Sequence, residues 1–345
     1  MDGIAKVGPK PGLKLLKLDE PKIGPTEVLV ETIASSICGT DIHLYNWDHY
    51  CDGLRMSFPR VIGHETVGRV TEVGRDVENL RVGDLVSAES HLFCDSCRPC
   101  KSGHRELCSV DRILGEDSNG AFAQFLALDA RFLWKHHSDI DVRLACVSEP
   151  LGNAVNMVVK AELASKVVLI SGAGPIGLFS TVLARHYGAA DTIVVEPTPL
   201  RRSLAKDIGA SVVLDPSAQE VSAVVSERTG GVGVDVCLEI SGTVEGLRTC
   251  LDAIRPGGTI IAFGLYDGMV EVDLTRKLVL RGVSLVGVTG RRVWQTWEQT
   301  SNLINCLGNG LRKVITDEYD YTDYELAFAQ LGSKQCAKIL FWFKR

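Results

Sequence analysis

The chain has 345 residues, of which 45% are hydrophobic and 23% are charged, and its formal net charge is −6. That length favours two domains, and the acidic balance without a basic run argues against a nucleic acid or an anionic membrane as partner. No apolar run reaches the length of a membrane span and the N-terminus has no signal-peptide pattern, so the sequence predicts a cytoplasmic globular protein.

The N-terminal part is predicted to be β-rich. Stretches of β-branched and alternating apolar residues at 27–33, 67–74 and 84–88 predict strands, and turn-forming residues separate them at short intervals. A last apolar strand is predicted at 337–343, and it could close back onto this first domain.

Short motifs in this part carry the residue types of an open zinc site. Cys38 follows the first long strand, His64 and Glu65 stand in a glycine-bounded turn, and Glu149 lies where the β-rich part ends. Cysteine, histidine and carboxylate ligands can hold zinc and leave a fourth position for water or substrate. A lone histidine is more often a hydrogen-bonded packing residue and Cys38 could simply be buried, so the spacing alone leaves both interpretations open.

Two residues just after Cys38 suggest a proton relay. Thr40 could accept the proton of a substrate hydroxyl, and His43, with an unperturbed pKa near ~6.5, could pass it on at neutral pH. The alternative is that Thr40 caps a helix that starts there and that His43 is exposed on the surface; the sequence alone supports the two equally.

Four cysteines with the spacing C-x2-C-x2-C-x7-C predict a second metal site. Cys94, Cys97, Cys100 and Cys108 can surround one Zn²⁺ as four thiolates. No position is then left for substrate, so this zinc would be structural and would fold an otherwise irregular lobe.

From about residue 151 onward, strand and helix patterns alternate, which is typical of a doubly wound parallel sheet. The predicted strands are 166–171, 192–196, 211–214, 234–239 and 259–264, and the predicted helices are 175–187 and 200–208.

A glycine-rich turn after the first of these strands predicts a dinucleotide site. Gly172, Gly174 and Gly177 form G-x-G-x-x-G, with Pro175 and Ile176 between them at the head of a helix. Glycines at these positions let backbone N–H groups approach a pyrophosphate, whose charge the helix N-terminus favours.

The end of the next strand bears on the choice between NAD and NADP. Glu196 is at the distance where an acid bonds the adenine ribose, and its carboxylate would repel a 2′-phosphate. Arg201 and Arg202 are the counter-argument because an arginine can hold that phosphate. They are expected instead to flank the adenine or to be solvated, so the sequence predicts NAD.

Four motifs occur together and in order along the chain: the Cys38 motif, the turn at 63–65, the four-cysteine lobe and the glycine-rich turn. With this combination the sequence resembles the zinc-dependent medium-chain dehydrogenase/reductase family over essentially the whole chain. The resemblance implies an α/β protein with a GroES-like catalytic domain at 1–152 and 291–345 and a Rossmann NAD-binding domain at 153–290. It also implies a homo-tetramer that acts on a small-molecule alcohol.

The resemblance further implies roles for single residues. Cys38 and His64 would be catalytic zinc ligands, with Glu65 and Glu149 as acidic ligands that alternate as substrate or water enters. The four cysteines of the lobe would hold the structural zinc. The relay would carry the hydroxyl proton through the cofactor ribose to water.

Three stretches, 38–47, 149–155 and 289–297, are similar to family members that oxidise L-threonine to 2-amino-3-ketobutyrate. A site for this amino acid needs a cation for the carboxylate and an acceptor for the ammonium. Arg291 is the candidate cation, although a solvated arginine is as compatible with the sequence, and His91 is expected to line the pocket.

Two departures from the family pattern keep a second substrate class open. Gln124 stands where the family usually has glutamate, and residues 51–60 are idiosyncratic and could reshape the pocket rim. The alternative function is an NAD-dependent polyol, amino-sugar or aminocyclitol dehydrogenase on the same framework. A non-catalytic NAD-binding protein is a remote third, against which the complete set of metal and relay residues argues.

Overall fold

The N-terminal part is β-rich in the computed structural model, which describes residues 1–110, 112–266 and 268–344. Its strands are β1 (Asp2–Lys6), β2 (Lys14–Lys17), β3 (Glu27–Ser36), β4 (Arg60–Val61), β5 (Glu65–Val73), β6 (Leu85–Ala88), β7 (Phe125–Asp129) and β8 (Leu133–Lys135). Its helices are α1 (Gly39–Asn46), α2 (Arg98–Lys101) and α3 (Val142–Cys146), with 3₁₀ turns at His49–Cys51, Arg105–Leu107 and Ala130–Phe132.

Strands and helices alternate in the middle of the chain, as the sequence predicted. They are α4 (Ser148–Ala161), β9 (Val167–Ser171), α5 (Pro175–His186), β10 (Asp191–Val195), α6 (Pro199–Asp207), β11 (Val212–Leu214), α7 (Val221–Thr229), β12 (Val234–Glu239), α8 (Val244–Ala253), β13 (Ile254–Ala262), α9 (Leu274–Lys277) and β14 (Ser284–Gly287). A 3₁₀ turn at Val279–Arg281 precedes the last strand.

These strands form one parallel sheet in the order β11-β10-β9-β12-β13-β14. Its β9 strand is buried on both faces, with Val168 and Ile170 in one apolar cluster and Leu169 in another. Helices therefore cover both faces of the sheet, and the direction of the crossovers reverses between β9 and β12. Ligands of such sheets bind at this switch point, beyond the carboxyl ends of the strands.

The C-terminal part consists of α10 (Gln295–Arg312), β15 (Ile315–Asp320), a 3₁₀ turn (Tyr321–Asp323), α11 (Tyr324–Gly332) and β16 (Lys338–Trp342). β15 and β16 are parallel, and α11 forms the crossover connection that a parallel pair needs. β16 then pairs with β3 and extends a seven-stranded sheet, β15-β16-β3-β5-β6-β8, in which β7 also pairs with β3. β2, β1 and β4 form a separate three-stranded sheet.

The predicted fold class, a GroES-like domain with a Rossmann domain, is confirmed by this architecture. The boundaries at 152 and 290 stay a prediction. Among the described residues, no helix combines the length and apolar character needed to cross a bilayer.

The register of β3 places the predicted metal motif. Ser36 lies opposite Glu65 of β5 and opposite Leu340 of β16. Both pairings are antiparallel, so the residues just beyond Ser36 approach the residues just before Glu65 and Leu340. Cys38 is thereby brought beside His64.

Candidate active site

Cys38 lies between the end of β3 and the first turn of α1. It is the N-cap residue of the helix, and its backbone N–H donates to Asp41 Oδ2 at 2.9 Å. Thr40 belongs to the first turn, and its Oγ1 lies 3.7 Å from Cys38 Sγ. Thr40 is therefore not the helix cap, and its hydroxyl lies beside the thiol.

Side-chain donor atoms of Cys38, His64 and Glu65 lie within 4.8 Å of one another. Burial alone would lower the pKa of His64, but Cys38, Asp41 and Glu149 raise it well above its usual value. The surroundings of the imidazole thus favour positive charge. A thiolate, an imidazole and a carboxylate in such surroundings fit a zinc ion.

Glu65 is bound by a lysine from the last strand. Lys338 Nζ lies 2.7 Å from Glu65 Oε1 and 2.5 Å from Oε2, and it also donates to the backbone oxygen of Ile37 at 2.8 Å. Ser36 Oγ donates to the same carboxylate. Both oxygens of Glu65 are engaged, so a metal bound there would compete with Lys338.

Glu149 reaches the site from the first turn of α4. Its Oε1 accepts hydrogen bonds from Ser90 Oγ at 2.8 Å and from Arg291 Nη1 at 2.7 Å. Burial raises the pKa of Glu149, while Arg291 and His64 lower it, and the net shift is downward. Glu149 is not part of the tight group around Cys38, and the choice of acidic ligand stays a prediction.

His43 is held in a defined orientation at the side of α1. Its Nδ1 lies 2.8 Å from Asp48 Oδ2, and its ring stacks on Tyr50 with centroids 5.2 Å apart. The side chain is 34% exposed, so it is neither buried nor freely solvated. With Asp48 as the acceptor from Nδ1–H, Nε2 remains for a second hydrogen bond.

His91 is packed between a carboxylate and a glycine. Its Nδ1 lies 3.0 Å from Glu89 Oε1. Gly290 has a φ of +52°, and a Cβ there would lie 2.6 Å from the imidazole Cε1. A glycine at 290 is therefore needed for the ring to keep this position.

The glycine-rich turn has the close approaches that its pattern requires. A Cβ on Gly177 would lie 2.0 Å from the oxygen of Gly172, whose own φ is +94°. Nothing lies within 4 Å of a Cβ on Gly174, which faces open space at the start of α5. Glu196 Oε2 accepts from the backbone N–H of Ala173 at 2.7 Å. The N–H of Ala173 is thereby used within the protein, and the N–H groups at the start of α5 remain for an anion, which fits a dinucleotide.

One cavity of about 1330 Å³ joins the metal motif to this turn. The predicted site residues that line it are Cys38, Thr40, His43, His64, Glu65, His91, Glu149, Gly174, Pro175, Ile176 and Arg201. Gly172, Gly177, Glu196 and Arg291 do not line it. The cavity is wide enough for a cofactor and a small substrate together.

The four predicted lobe cysteines converge on one point. The sulfur atoms of Cys94, Cys97, Cys100 and Cys108 lie within 4.8 Å of one another. Hydrogen bonds from the Ser96 hydroxyl and from the N–H groups of Ser96 and Cys97 lower the pKa of Cys94 to about 6. Burial and the neighbouring sulfurs raise the pKa of Cys100 to about 12, so the low pKa of Cys94 is not shared by the whole cluster. Four sulfur atoms this close together fit a tetrahedral structural zinc.

Comparisons with known proteins agree with this geometry. Residues 24–138 match the model for the alcohol dehydrogenase GroES-like domain, and residues 175–305 match that for zinc-binding dehydrogenases. The chain is 40% identical to an L-threonine 3-dehydrogenase of Pyrococcus furiosus, covering 100% of this chain and 99% of the relative. It is also 40% identical to an L-threonine 3-dehydrogenase of Symbiobacterium thermophilum, covering 99% and 97%.

The chain belongs to the zinc-dependent medium-chain dehydrogenase/reductase family. Among solved structures, galactitol-1-phosphate dehydrogenase from Escherichia coli superposes with a TM-score of 0.91 at 21% identity, covering 99% of this chain and 100% of that one, which shows the shared fold alone. The 2R,3R-butanediol dehydrogenase from Bacillus subtilis superposes with a TM-score of 0.90 at 26% identity, covering 99% of each chain.

The contacts of Arg291 in this zinc-dependent dehydrogenase correct the prediction that it binds the substrate carboxylate. Arg291 is fully buried, and its five N–H donors are all used. Two go to Glu89, and one each to Glu149, Asn153 and Ser90. No donor remains for a substrate, so Arg291 orients Glu149 instead.

The two departures from the family pattern lie away from the cavity. Gln124 accepts the backbone N–H of Asp2 through Oε1 at 2.7 Å, which is a structural contact near the N-terminus. None of residues 51–60 lines the cavity, although Tyr50 does.

Sequence reasoning missed three charged groups that position the site, of which Lys338 and Glu89 are buried. Lys338, Glu89 and Asp48 contact Glu65, Arg291 and His43 from distant or loop positions. A lysine within the apolar run at 337–343 was the one available signal, because a buried cation needs an acidic partner.

The lobe generates a metal prediction. Replacing Cys97 by serine should remove one zinc per chain and lower the melting temperature, because three thiolates close the site poorly. Metal analysis and thermal unfolding measure this. Cys306→Ser, at an exposed cysteine of α10, is the matched control. Unchanged zinc content in C97S would contradict a structural zinc here.

The Arg291 network generates a pH prediction. Burial alone would raise the pKa of Glu89, but Arg291, His91 and Trp297 lower it to about 2. Arg291→Met should cost about 3–5 kcal/mol of unfolding free energy at pH 7, because two carboxylates lose their buried cation. The wild type loses the Glu89 contribution as pH falls from about 4.5 towards 2, so the difference should shrink in that range.

Chemical denaturation at pH 7 and at pH 3 measures this difference. Arg276→Met is the control, since that arginine forms only an exposed pair with Asp273 and should change stability by less than about 1 kcal/mol. A penalty for R291M that stays constant with pH would exclude the ionised Glu89 as its source.

Proposed function

We propose that this protein oxidises the 3-hydroxyl of L-threonine to 2-amino-3-ketobutyrate, with NAD as oxidant and zinc at the Cys38 site. The supporting observation is that one cavity is lined by both the metal motif and the glycine-rich turn. Substrate choice is supported by relatives named L-threonine 3-dehydrogenase that are 37–40% identical over nearly the whole chain.

Cys38 and His64 would hold the catalytic zinc, with Glu65 or Glu149 as the acidic ligand. A zinc ion there supplies Lewis acidity, which lowers the pKa of a substrate hydroxyl by several units. The chain's own contribution is to orient these ligands: Lys338 fixes Glu65, and Arg291 with Ser90 fixes Glu149. In metal enzymes, hydrogen bonds from neighbouring residues typically orient the side chains that bind the metal.

Proton removal is assigned to Thr40 and His43. Thr40 Oγ1 lies next to the metal motif and can accept the hydroxyl proton while passing its own onward. His43 takes a proton at Nε2, since Nδ1 is bonded to Asp48. The partial exposure of His43 then allows release to water.

The cofactor is assigned to the glycine-rich turn. NAD supplies the acceptor for the hydride from the substrate carbon, so one alcohol and one NAD⁺ give one ketone, one NADH and one proton. Gly174 lets the pyrophosphate approach backbone N–H groups at the start of α5. Arg202 is paired with Asp215 at 2.9 Å, which supports NAD over NADP because that cation is already neutralised.

Homo-tetramer formation and a cytoplasmic location stay predictions. β14 is an edge strand of the Rossmann sheet, and Leu285 on it is 42% exposed. An unpaired strand edge with apolar side chains supports pairing with a second chain.

A substrate panel tests the function. Zinc-loaded enzyme with NAD should produce NADH from L-threonine at a kcat/KM at least ~100-fold above that for sorbitol, galactitol or an aminocyclitol, and NADP should replace NAD poorly. Absorbance of NADH measures the rates. Faster oxidation of a polyol or aminocyclitol would move the protein to the alternative substrate class.

The metal site is tested by Cys38→Ser. Turnover should fall by at least ~100-fold because a neutral hydroxyl replaces the thiolate ligand, while NADH binding, measured by fluorescence titration, should change less than about twofold. Cys306→Ser again serves as control. Loss of NADH affinity in C38S would mean that the metal and nucleotide sites are not separable.

A further inference from the structure

Glu106 is a buried carboxylate that the mechanism does not use. It lies in the 3₁₀ turn Arg105–Leu107 of the zinc lobe, is 7% exposed and lines the main cavity. Its Oε1 lies 3.0 Å from His104 Nδ1, whereas Oε2 has no hydrogen-bond partner among the residues that the structure describes. A buried carboxylate oxygen without a donor is costly, so this position favours a ligand that brings one.

Arg292 is a cation that lines the same cavity. It is half-buried, and among the described residues its guanidinium has no ion pair or hydrogen bond, in contrast to the saturated Arg291 before it. Its Nη2 lies 3.8 Å from the point where a Cβ on Gly103 would sit. Arg292 therefore adjoins the loop that carries Glu106.

The other charged groups of the cavity wall near the metal motif already have partners. Lys338 is paired with Glu65, and Glu149 with Arg291. Glu116 accepts a hydrogen bond from Tyr50 at 3.0 Å. Glu106 and Arg292, of opposite charge, are not paired with each other in the part of the chain that the structure describes. This wall thus presents a carboxylate oxygen, Glu106 Oε2, and a guanidinium, Arg292, for which the described residues supply no partner.

We propose that Glu106 binds the ammonium of the substrate and Arg292 binds its carboxylate. This inference rests on the proposed function, and it deepens it by assigning recognition of the zwitterion to residues outside the metal site. An ammonium supplies the donor that Oε2 lacks, and a guanidinium offers paired N–H groups that match a carboxylate. Arg292 takes the role that the sequence had suggested for Arg291.

Three alcohols that differ by one charged group separate these roles. L-Threonine carries both charges, 1-amino-2-propanol lacks the carboxylate, and 3-hydroxybutyrate lacks the ammonium, while all keep the same secondary alcohol. KM and kcat are measured for each with the zinc-loaded wild type, Glu106→Gln and Arg292→Gln.

Glu106→Gln should raise KM about 10- to 100-fold for threonine and aminopropanol and leave KM for hydroxybutyrate within about twofold. Arg292→Gln should raise KM to a similar extent for threonine and hydroxybutyrate but not for aminopropanol. In both variants kcat should change little, because the lost contact serves substrate and transition state alike.

Two neutralising variants serve as controls. Arg105→Gln changes the residue next to Glu106; Arg105 pairs with Asp95 and does not line the cavity. Lys160→Gln removes an exposed cation from the same cavity. Both should leave all three KM values within about twofold, and the zinc content of every variant should equal that of the wild type. A misfolded lobe would instead depress activity on all three alcohols.

The outcomes separate this inference from the proposed function. The inference is overturned, and the proposed function stands, if the wild type oxidises threonine but the variants show unchanged KM values. The same holds if their KM values are raised equally for all three alcohols. If the wild type oxidises aminopropanol but not threonine, and Glu106→Gln raises KM for aminopropanol, the proposed function is overturned and Glu106 remains an ammonium site. A wild type that oxidises only uncharged polyols overturns both.

Discussion

The hydrogen-bond register of β3 is the constraint on which the site depends. Ser36 pairs across to Glu65 on one side and to Leu340 on the other, so residues far apart in the chain meet at the end of one strand. A slip of one residue in either pairing would turn Glu65 or Lys338 to the opposite face of the sheet. The metal site is therefore as well defined as this ladder, and the last strand of the chain is part of it.

Buried charge does the remaining positioning. Arg291 satisfies five acceptors from within the protein and so holds Glu149 and Glu89 in fixed orientations. Arg292, one residue later, lines the cavity, and no described residue accepts a hydrogen bond from its guanidinium. Adjacent residues with the same side chain thus have opposite roles, because in an irregular segment between β14 and α10 successive side chains point in different directions. Charge type alone could not distinguish them.

Local patterns predicted most of the fold, since apolar periodicity and the glycine-rich turn are visible within a few residues. β12 was predicted with its observed bounds, and the cysteine spacing gave a lobe whose sulfurs do converge. β13 begins at Ile254, five residues before the prediction, because a register shift opposite Val234 and Val236 accommodates its proline and glycines. Glu89 escaped prediction because pairing between distant segments leaves no local pattern, and the lysine in the apolar run at 337–343 signalled only that an acidic partner exists, not that it is Glu65.

The zinc lobe links stability to recognition. Glu106 lies between the third and fourth cysteines of the lobe, and the neighbouring Leu107 and Cys108 also line the cavity. A zinc bound by the four cysteines would stabilise this short and irregular loop. The position of the Glu106 carboxylate relative to the catalytic motif would then depend on an ion that does not contact the substrate. On this view a metal that takes no part in the chemistry still contributes to the choice of substrate, because it fixes one wall of the cavity in which the alcohol is held.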